Sequence, residues 1–286
     1  SLVGKILREL KKVSEKNADG YKSFWKEYGA VLKEGLYEDA ERKEALLDLC
    51  RFSTNENDDP ISLSEYVEKM PEKQKDIYYI SAETKDQALA SPHLEGFKSK
   101  KIPVLIMTDA IDQFWLPMVG SFKEKKFTSI TQGQINLDDL DEKNKDKKKD
   151  DKNEKEKKDK EYVDLVAQLK VVLGDQVKDI RLSSKLTDSP VCLVADEGDM
   201  DIAMEQLMAQ RDTNYKGAPR ILEINGDHSL IKNMKSLLSK KVNNDLVSDA
   251  GTLLFEQARL MEGKMPADPA QFSKIMNQFL LKAIPN

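Results

Sequence analysis

The apolar positions in the first part of the chain recur with the period of an amphipathic α-helix. One stripe runs through residues 2–13, a second through 21–32 and a third through 38–51. Ser62 and Glu65 then match a capping box, which begins a short helix that Pro71 ends. These patterns predict a helical layer over residues 1–75. The first stripe starts without a cap or an initiating Met, so we expect it to lie inside a longer protein.

From residue 76 onward the pattern changes to short apolar or β-rich runs that alternate with helical segments. The runs lie at 77–81, 102–107 and 127–130, and helical patterns separate them near 85–100 and 111–119. Unbroken apolar runs such as Val104–Met107 are typical of parallel strands covered on both faces. The pattern predicts a small βαβαβ subdomain over residues 76–135, with right-handed crossovers.

A highly charged stretch follows this first domain. Residues 141–160 include 18 charged side chains out of 20, ten lysines and eight acids. Because both signs are mixed and no apolar side chain is present, we expect a solvated, flexible or partly helical linker over residues 136–160. A nucleic-acid-binding arm made of these lysines is the rival interpretation.

The pattern over residues 161–286 predicts an α+β domain. The predicted fold class of the chain is therefore α/β, for residues 1–135, plus α+β. A helix stopped by Gly174 precedes strands at 177–182, 191–194 and 220–224, and two strongly apolar helices follow at about 245–262 and 269–283. These helices carry more apolar surface than a small sheet can cover, which indicates self-association as a two-fold four-helix arrangement. The predicted dimer interface consists of Leu246, Leu253, Leu254, Met261, Phe272, Ile275 and Phe279.

Composition narrows the possible partners. The chain has 46 basic and 51 acidic residues and a net charge of -5, which argues against nucleic acid as a general partner. Cys50 and Cys192 lie far apart without metal-ligand spacing, so we expect buried thiols and a cytoplasmic location. No apolar run reaches the roughly 18 residues of a membrane span, so no membrane is expected as a partner.

Motifs for chemistry are sparse. Neither the GxxxxGK[ST] loop nor a strand-linked GxGxxG occurs, and His93 and His228 fall in different predicted domains with structural helix-start roles. We therefore expect no catalytic, cofactor-binding or metal site in this chain. The alternative is a small ligand-binding or enzymatic α/β domain that uses Asp109 and Asp112, which follow a predicted parallel strand. Turn and cap roles for these two aspartates are the competing interpretation.

Two apolar clusters are candidates for a protein-binding surface. In the segment 112–118, Phe114 and Trp115 are adjacent and must point in different directions, so one of them should face outward near Pro117. Phe114, Trp115 and Met118 are the candidates in this segment. In the segment 200–208, four residues share one face of a predicted helix: Met200, Met204, Leu207 and Met208. Methionine suits a surface that accepts varied apolar partners, although a buried core is the other interpretation of such a stripe.

Ordered sequence blocks resemble the bacterial high-temperature protein G branch of the ninety-kilodalton heat-shock chaperones. The likeness is carried by Phe24-Trp-Lys-Glu-Tyr-Gly-Ala-Val-Leu-Lys-Glu-Gly35, Leu49-Cys-Arg-Phe-Ser53, the segment 62–80, Ser91-Pro-His-Leu-Glu95, Asp109-Ala-Ile-Asp112 and the segment 177–190. It covers nearly the whole chain except the charged linker.

The resemblance implies that residues 1–135 end a chaperone middle domain and residues 161–286 form its dimerisation domain. It also implies that an amino-terminal domain, absent here, binds ATP with magnesium, so the intact protein is expected to be an ATPase while this fragment is not an enzyme. Expected partners are a second copy, partly folded client proteins and other chaperones. The family's client contacts match Phe114, with Gln113 and Pro117 departing from the family's acid and asparagine, and Met204, Leu207 and Met208.

Overall fold

The computed structural model describes residues 2–57, 59–140, 156–212, 214–242 and 244–284. Contacts within the chain divide it into two compact units, each containing helices and its own sheet, so the fold is mixed α/β. The first unit comprises Ser1–Ala90, Phe97–Ile130 and Asp201–Tyr215, and the second comprises Ser91–Gly96, Thr131–Met200 and Lys216–Asn286. Each half of the sequence thus contributes one short segment to the other unit, an exchange that the sequence patterns did not predict.

The helices of the first unit begin at residues whose side chains cap them. Asn17 Oδ1 accepts a hydrogen bond from the Gly20 N–H at 2.9 Å, and the Ser62–Glu65 capping box is confirmed by reciprocal bonds of 3.1 and 2.7 Å. The helices are α1 Leu2–Lys16, α2 Ala18–Glu38, α3 Lys43–Leu49 after a 3-10 turn at Ala40–Arg42, α4 Leu63–Lys69, α5 Lys85–Leu89, α6 Glu95–Ser99 and α7 Asp112–Val119. Helix α6 starts in the second unit, and α9 Ile202–Arg211 belongs to the first.

The sheet of the first unit has a parallel centre and antiparallel edges. Its strands are β1 Arg51–Thr54, β2 Ile61–Ser62, β3 Ile77–Ser81, β4 Leu105–Met107, β5 Ser121–Phe122 and β6 Lys125–Ser129, in the spatial order β2-β1-β4-β3-β6-β5. Strand β3 lies parallel to both β4 and β6, whereas β1 and β5 pair antiparallel with β4 and β6. The three predicted parallel strands are present, whereas β1, β2 and β5 are additional, and β1 occupies the end of the helix predicted to reach residue 51.

The core of the first unit joins its helices to this sheet. The largest side chains with almost no exposure are Trp115, Tyr66, Phe52 and Phe97. Tyr66 donates its hydroxyl proton to the Pro103 carbonyl at 2.6 Å and accepts from the Tyr78 N–H at 3.0 Å. Because this buried hydroxyl both donates and accepts a hydrogen bond, Tyr66 on α4 fixes the start of β3 against that helix.

The second unit has a three-stranded sheet covered by helices. Its strands match the predicted ranges: β7 Val177–Leu182, β8 Val191–Val194 and β9 Arg220–Ile224, in the order β7-β9-β8 with β7 parallel and β8 antiparallel to β9. Within the predicted linker, Leu137–Leu140 form a 3-10 helix with Leu137 buried, so this end is not solvated as the sequence predicted. Residues 156–161 are helical, and residues 141–155 lie outside the described residues. The longer helices are α8 Val163–Leu173, α10 Ser229–Ser239, α11 Asn244–Met261 and α12 Pro269–Ala283.

The core of the second unit is formed where α8, α10 and α11 cover the sheet. Leu165, Leu169, Leu222, Ile231 and Val247 each retain almost no exposed surface. The chain connection between the last two helices is fixed by the buried carboxylate of Glu256, which accepts hydrogen bonds from the Ala267 N–H at 3.1 and 3.2 Å. No helix in the described part of the chain is long and apolar enough to cross a membrane.

Candidate protein-binding surfaces

Helix α7 turns one aromatic side chain inward and leaves its neighbour near the surface. Trp115 has no exposed area and packs edge-on against Phe127, with ring centroids 5.5 Å apart. Its Nε1–H donates to Asp112 Oδ1 at 2.7 Å, so the indole is held by a hydrogen bond as well as by packing. Phe114 stays partly exposed and Met118, one turn later on the same face, is 57% exposed. The expectation that one of the two aromatics faces outward is confirmed for Phe114.

A buried ion cluster holds the start of α7. The Lys33 ammonium, on α2, lies 2.8 Å from Asp109 Oδ2 and 2.9 Å from Asp112 Oδ1, and Asp112 also accepts from the Asp109 N–H at 3.2 Å. Burial opposes the charge on Lys33, but Asp112 and Asp109 outweigh it and raise the pKa of the ammonium. Burial raises the pKa of the Asp112 carboxyl despite the neighbouring ammonium. With Asp112 fully enclosed and paired, the two aspartates form a structural cluster rather than an open catalytic pair.

Phe114 lies among further groups that the sequence patterns did not single out. The Tyr37 ring meets it edge-on with centroids 6.3 Å apart, and the Arg211 guanidinium lies 6.0 Å from its centroid. Tyr37 is 48% exposed. We call Tyr37, Phe114 and Met118 the α7 patch. Tyr37 lies near the end of the α2 stripe, and its proximity to Phe114 depends on tertiary packing that no local signal reports.

Helix α9 carries three of the four client-binding residues predicted in the segment 200–208. Asp201 Oδ1 accepts from the Ala203 N–H at 2.9 Å and starts the helix, whose buried face includes Ile202 and Glu205. Met204, Leu207 and Met208 are each half-buried, and we call them the α9 face. Met200 precedes the cap, so the prediction that it shares this helical face is wrong, although its side chain is 38% exposed.

The two terminal helices bury one side and expose the other. Of the predicted interface residues, Leu254 and Ile275 are buried, Met261 is 51% exposed, and Leu246, Leu253, Phe272 and Phe279 are partly exposed. Further apolar side chains are open to solvent: Leu260, Met265, Met276, Leu280, Leu281 and Ile284. The sequence contained a signal for two of these, because Met276 and Leu280 lie one turn apart on α12, and Ile284 follows at its C-cap. We call the exposed apolar residues of this region the terminal patch: Leu260, Met261, Met265, Met276, Leu280, Leu281 and Ile284.

The remaining candidate side chains, the cysteines and histidines, are buried or cap a helix. The described residues contain no cluster of three or more histidine, cysteine, aspartate or glutamate side chains suited to a metal ion. Cys50 and Cys192 are free and buried, as predicted, and burial raises the pKa of the Cys50 thiol to about 12. His228 Nδ1 accepts from the Leu230 N–H at 3.1 Å as a helix cap. His93 is buried in a 3-10 turn, where burial lowers the pKa of its imidazole well below the ordinary value.

Comparison with known proteins identifies the family of this chain. The family model described as Hsp90 protein matches residues 1–285. The chain belongs to the Hsp90 family. Its Hsp90 relatives include "Chaperone protein HtpG" of Roseobacter denitrificans, 41% identical over 99% of this chain and 45% of that protein, and the protein of the same name from Paramagnetospirillum magneticum, also 41% identical over 99% and 45%. That of Streptomyces coelicolor is 38% identical over 96% of this chain and 42% of its own length.

The resemblance to the bacterial branch of the Hsp90 chaperones is thereby confirmed. The chain spans less than half the length of these HtpG relatives, 45% in the first two. Membership in the Hsp90 family does not favour the alternative of a small enzymatic domain built on Asp109 and Asp112. The enclosed position of Asp112 gives the physical reason, because a carboxylate without exposed area cannot reach a substrate.

Proposed function

We propose that this chain is the client-binding and dimerising part of a folding chaperone. The observation that carries the proposal is the presence of exposed or half-buried apolar side chains on α7, α9 and the terminal helices of a chain that belongs to the Hsp90 family. Large apolar patches on a protein surface mark places where other polypeptides bind. The α7 patch and the α9 face are assigned to partly folded clients, and the terminal patch is assigned to a second copy.

The α9 face has the chemistry that suits varied clients. Met204 and Met208 lie one turn apart, with Leu207 between them on the same side of the helix. Thioether side chains are flexible and polarizable, so they can pack against apolar residues of many shapes. Half-burial leaves part of each side chain available, while the remainder anchors the helix in the first unit.

Replacing Met204 and Met208 together with glutamate tests the client assignment. Carboxylates at this face oppose the burial of apolar client segments, so suppression of aggregation of a heat-denatured model protein is expected to fall severalfold. The readout is light scattering at equal chaperone concentration. Val171→Glu is the matched control, because Val171 is 80% exposed and lies outside the proposed surfaces. Unchanged suppression by a folded double variant would refute the assignment.

The terminal patch fits an interface between two copies. Leu281 on α12 is 74% exposed and Ile284 at its C-cap is 72% exposed, while Phe272 and Phe279 offer partly exposed rings on α12. A two-fold pairing of the α11 and α12 helices would bury these side chains in a four-helix arrangement. Leu254 and Ile275, already buried in one protomer, support the interface from beneath.

Sedimentation measurements test this assignment. The unmodified chain is expected to be a dimer at micromolar concentration, whereas Leu281→Glu with Ile284→Glu is expected to be a monomer with an unchanged circular dichroism spectrum. Gln278→Glu adds a carboxylate at an exposed polar position of the same helix and should remain dimeric. A monomeric unmodified chain would show that the terminal patch is not a self-association surface.

The proposal assigns ATP and magnesium to an upstream part of the intact protein. Hydrolysis there would change how the client surfaces are presented, which is a population shift between conformations of the dimer. We place the protein in the cytoplasm and name other chaperones as further partners. Nucleic acid is excluded from the proposal because of the net charge of -5 and the mixed signs of the linker.

A further inference from the structure

A cavity in the first unit combines apolar walls with acidic side chains. It has a volume of about 340 Å³ and opens at the carboxyl ends of β3 and β4, where Ser81 and Met107 end those strands. The carboxyl ends of parallel strands are the usual location of ligand sites in α/β sheets. Its volume lies near the lower limit for small-molecule sites, so one large side chain fits it better than an extended ligand.

The walls of this cavity are of two kinds. Met107 and Leu207 contribute apolar surface from β4 and α9, and the amides of Gln113 and Gln210 contribute hydrogen-bonding groups from α7 and α9. A long methylene chain is stabilised against the apolar side, while a polar end group needs a charged or amide partner. This combination matches an amphipathic side chain more closely than a purely apolar one.

The charge of the cavity comes from the buried ion cluster beneath it. One ammonium, Lys33, is shared by two carboxyl groups, Asp109 and Asp112, so the cluster contains one more acidic group than basic groups. Asp112 is enclosed, whereas the Asp109 side chain is 40% exposed and lines the cavity. Glu83, which is exposed, adds a second carboxylate to the lining, and none of the described lining residues is basic. An incoming cation therefore meets acids without a competing base in the wall.

We propose that this cavity binds the side chain of a lysine or arginine in a bound client polypeptide. The inference rests on the proposed client-binding function and adds a preference for basic residues to it. The methylene stem of the client residue packs against Met107 and Leu207, and its cationic head approaches Asp109 and Glu83. Because Leu207 also belongs to the α9 face, one client segment can place apolar residues on that face and a basic residue in the cavity.

The test compares two fluorescent peptides that differ by one ammonium group. Both contain the same leucine-rich flanks; one has a central lysine and the other has norleucine, which keeps the methylene stem and lacks the charge. Fluorescence anisotropy with the unmodified 286-residue chain is expected to show about fivefold tighter binding of the lysine peptide, as for a partly exposed ion pair. The preference should decrease as salt concentration rises.

Two variants test whether the preference for the lysine peptide depends on the cavity. Asp109→Asn is expected to reduce it below about twofold while the norleucine peptide binds as before, as expected for loss of a partly exposed ion pair. Glu83 is exposed and lies outside the ion cluster, so Glu83→Lys leaves that cluster intact. The added ammonium repels a cationic side chain, so this variant should abolish the preference for the lysine peptide even if Asp109→Asn disturbs folding. Asp48→Asn is the matched control, since it removes an acid that pairs with Lys11 on another part of the same unit.

The possible outcomes separate this inference from the proposed function. Equal binding of the two peptides by the unmodified chain would overturn the cation preference and leave apolar client binding standing. A preference for the lysine peptide that survives in both cavity variants would also overturn the inference, because the lysine would then bind at another site. Failure of both peptides to bind, together with no suppression of aggregation, would instead contradict the client-binding function itself.

Discussion

Replacing Lys33 with methionine removes the ammonium that pairs with Asp112 in the core of the first unit. Methionine has a similar length, so the substitution deletes the charge with little change in volume. Only 5% of the Lys33 side chain is exposed and none of the Asp112 side chain, so water cannot take over the role of the ammonium. The variant therefore leaves the Asp112 carboxylate enclosed without an ammonium partner, although the Trp115 Nε1–H at 2.7 Å and the Asp109 N–H at 3.2 Å still donate to it.

The expected cost follows from this enclosure. Removing one partner of a buried ion pair typically destabilises a protein by about 3–5 kcal/mol, because an uncompensated charge remains. The retained hydrogen bonds from Trp115 and from the Asp109 N–H place the expected loss near the lower end, at about 3 kcal/mol. Adding Asp112→Asn removes the stranded charge and keeps an acceptor for the indole, so the double variant should regain about 1–2 kcal/mol. Lys11→Met is the control, since the Lys11 side chain is 54% exposed and that of its partner Asp48 is 35% exposed, so the cost should stay below about 1 kcal/mol.

Urea unfolding followed by tryptophan emission measures these differences. The chain has two tryptophans, Trp25 and Trp115, and both belong to the first unit, so their emission reports on that unit. A loss of less than about 1 kcal/mol in Lys33→Met would refute the reasoning, because the ion cluster would then not be desolvated as its burial indicates. A double variant less stable than the single one would also contradict it.

Two further predictions concern the segment that the first half of the chain contributes to the second unit. Gly96→Ala would place a Cβ 2.6 Å from the Lys185 carbonyl oxygen, so we expect a loss of about 1–3 kcal/mol in chemical unfolding, whereas Gly198→Ala, which meets nothing within 4 Å, should be nearly neutral. Burial opposes the charge on Glu95, but hydrogen bonds from the Ser189 hydroxyl and three backbone N–H groups outweigh it and lower the pKa of this carboxyl. Its stabilising contribution is therefore complete above its unfolded pKa of about 4.3 and is lost as pH falls through the folded value, and Glu95→Gln should flatten that acid-induced loss in unfolding followed by circular dichroism.

Local sequence signals predicted much of the secondary structure because they act within a few residues. The Ser62–Glu65 capping box and the three strands of the second unit appear at their predicted positions. Each depends on hydrogen bonds between near neighbours or on an unbroken apolar run, which the sequence shows directly. The edge strands Ile61–Ser62 and Ser121–Phe122 were missed because two residues carry no periodicity.

The candidate surfaces were harder to predict because exposure depends on tertiary packing. The sequence pattern predicts Trp115 as a client-binding residue, but its side chain has no exposed surface and cannot contact a client. Lys33 was not singled out, although a signal existed: it falls on the same helical face as Tyr21, Gly29 and Leu36, all of which are buried. A lysine on an apolar face indicates a buried acidic partner, and only the fold identifies Asp112 as that partner.

Site-specific crosslinking of a client tests the central claim most directly. A photoreactive phenylalanine analogue is placed at Met118, which is 57% exposed in the α7 patch, and separately at Val171, which is 80% exposed outside the proposed surfaces. After illumination with a partly unfolded model protein, we predict strong crosslinking from position 118 and weak crosslinking from position 171, with both signals lost when the model protein is native. Equal crosslinking from the two positions would show that exposure alone determines contact and would contradict a dedicated client-binding surface.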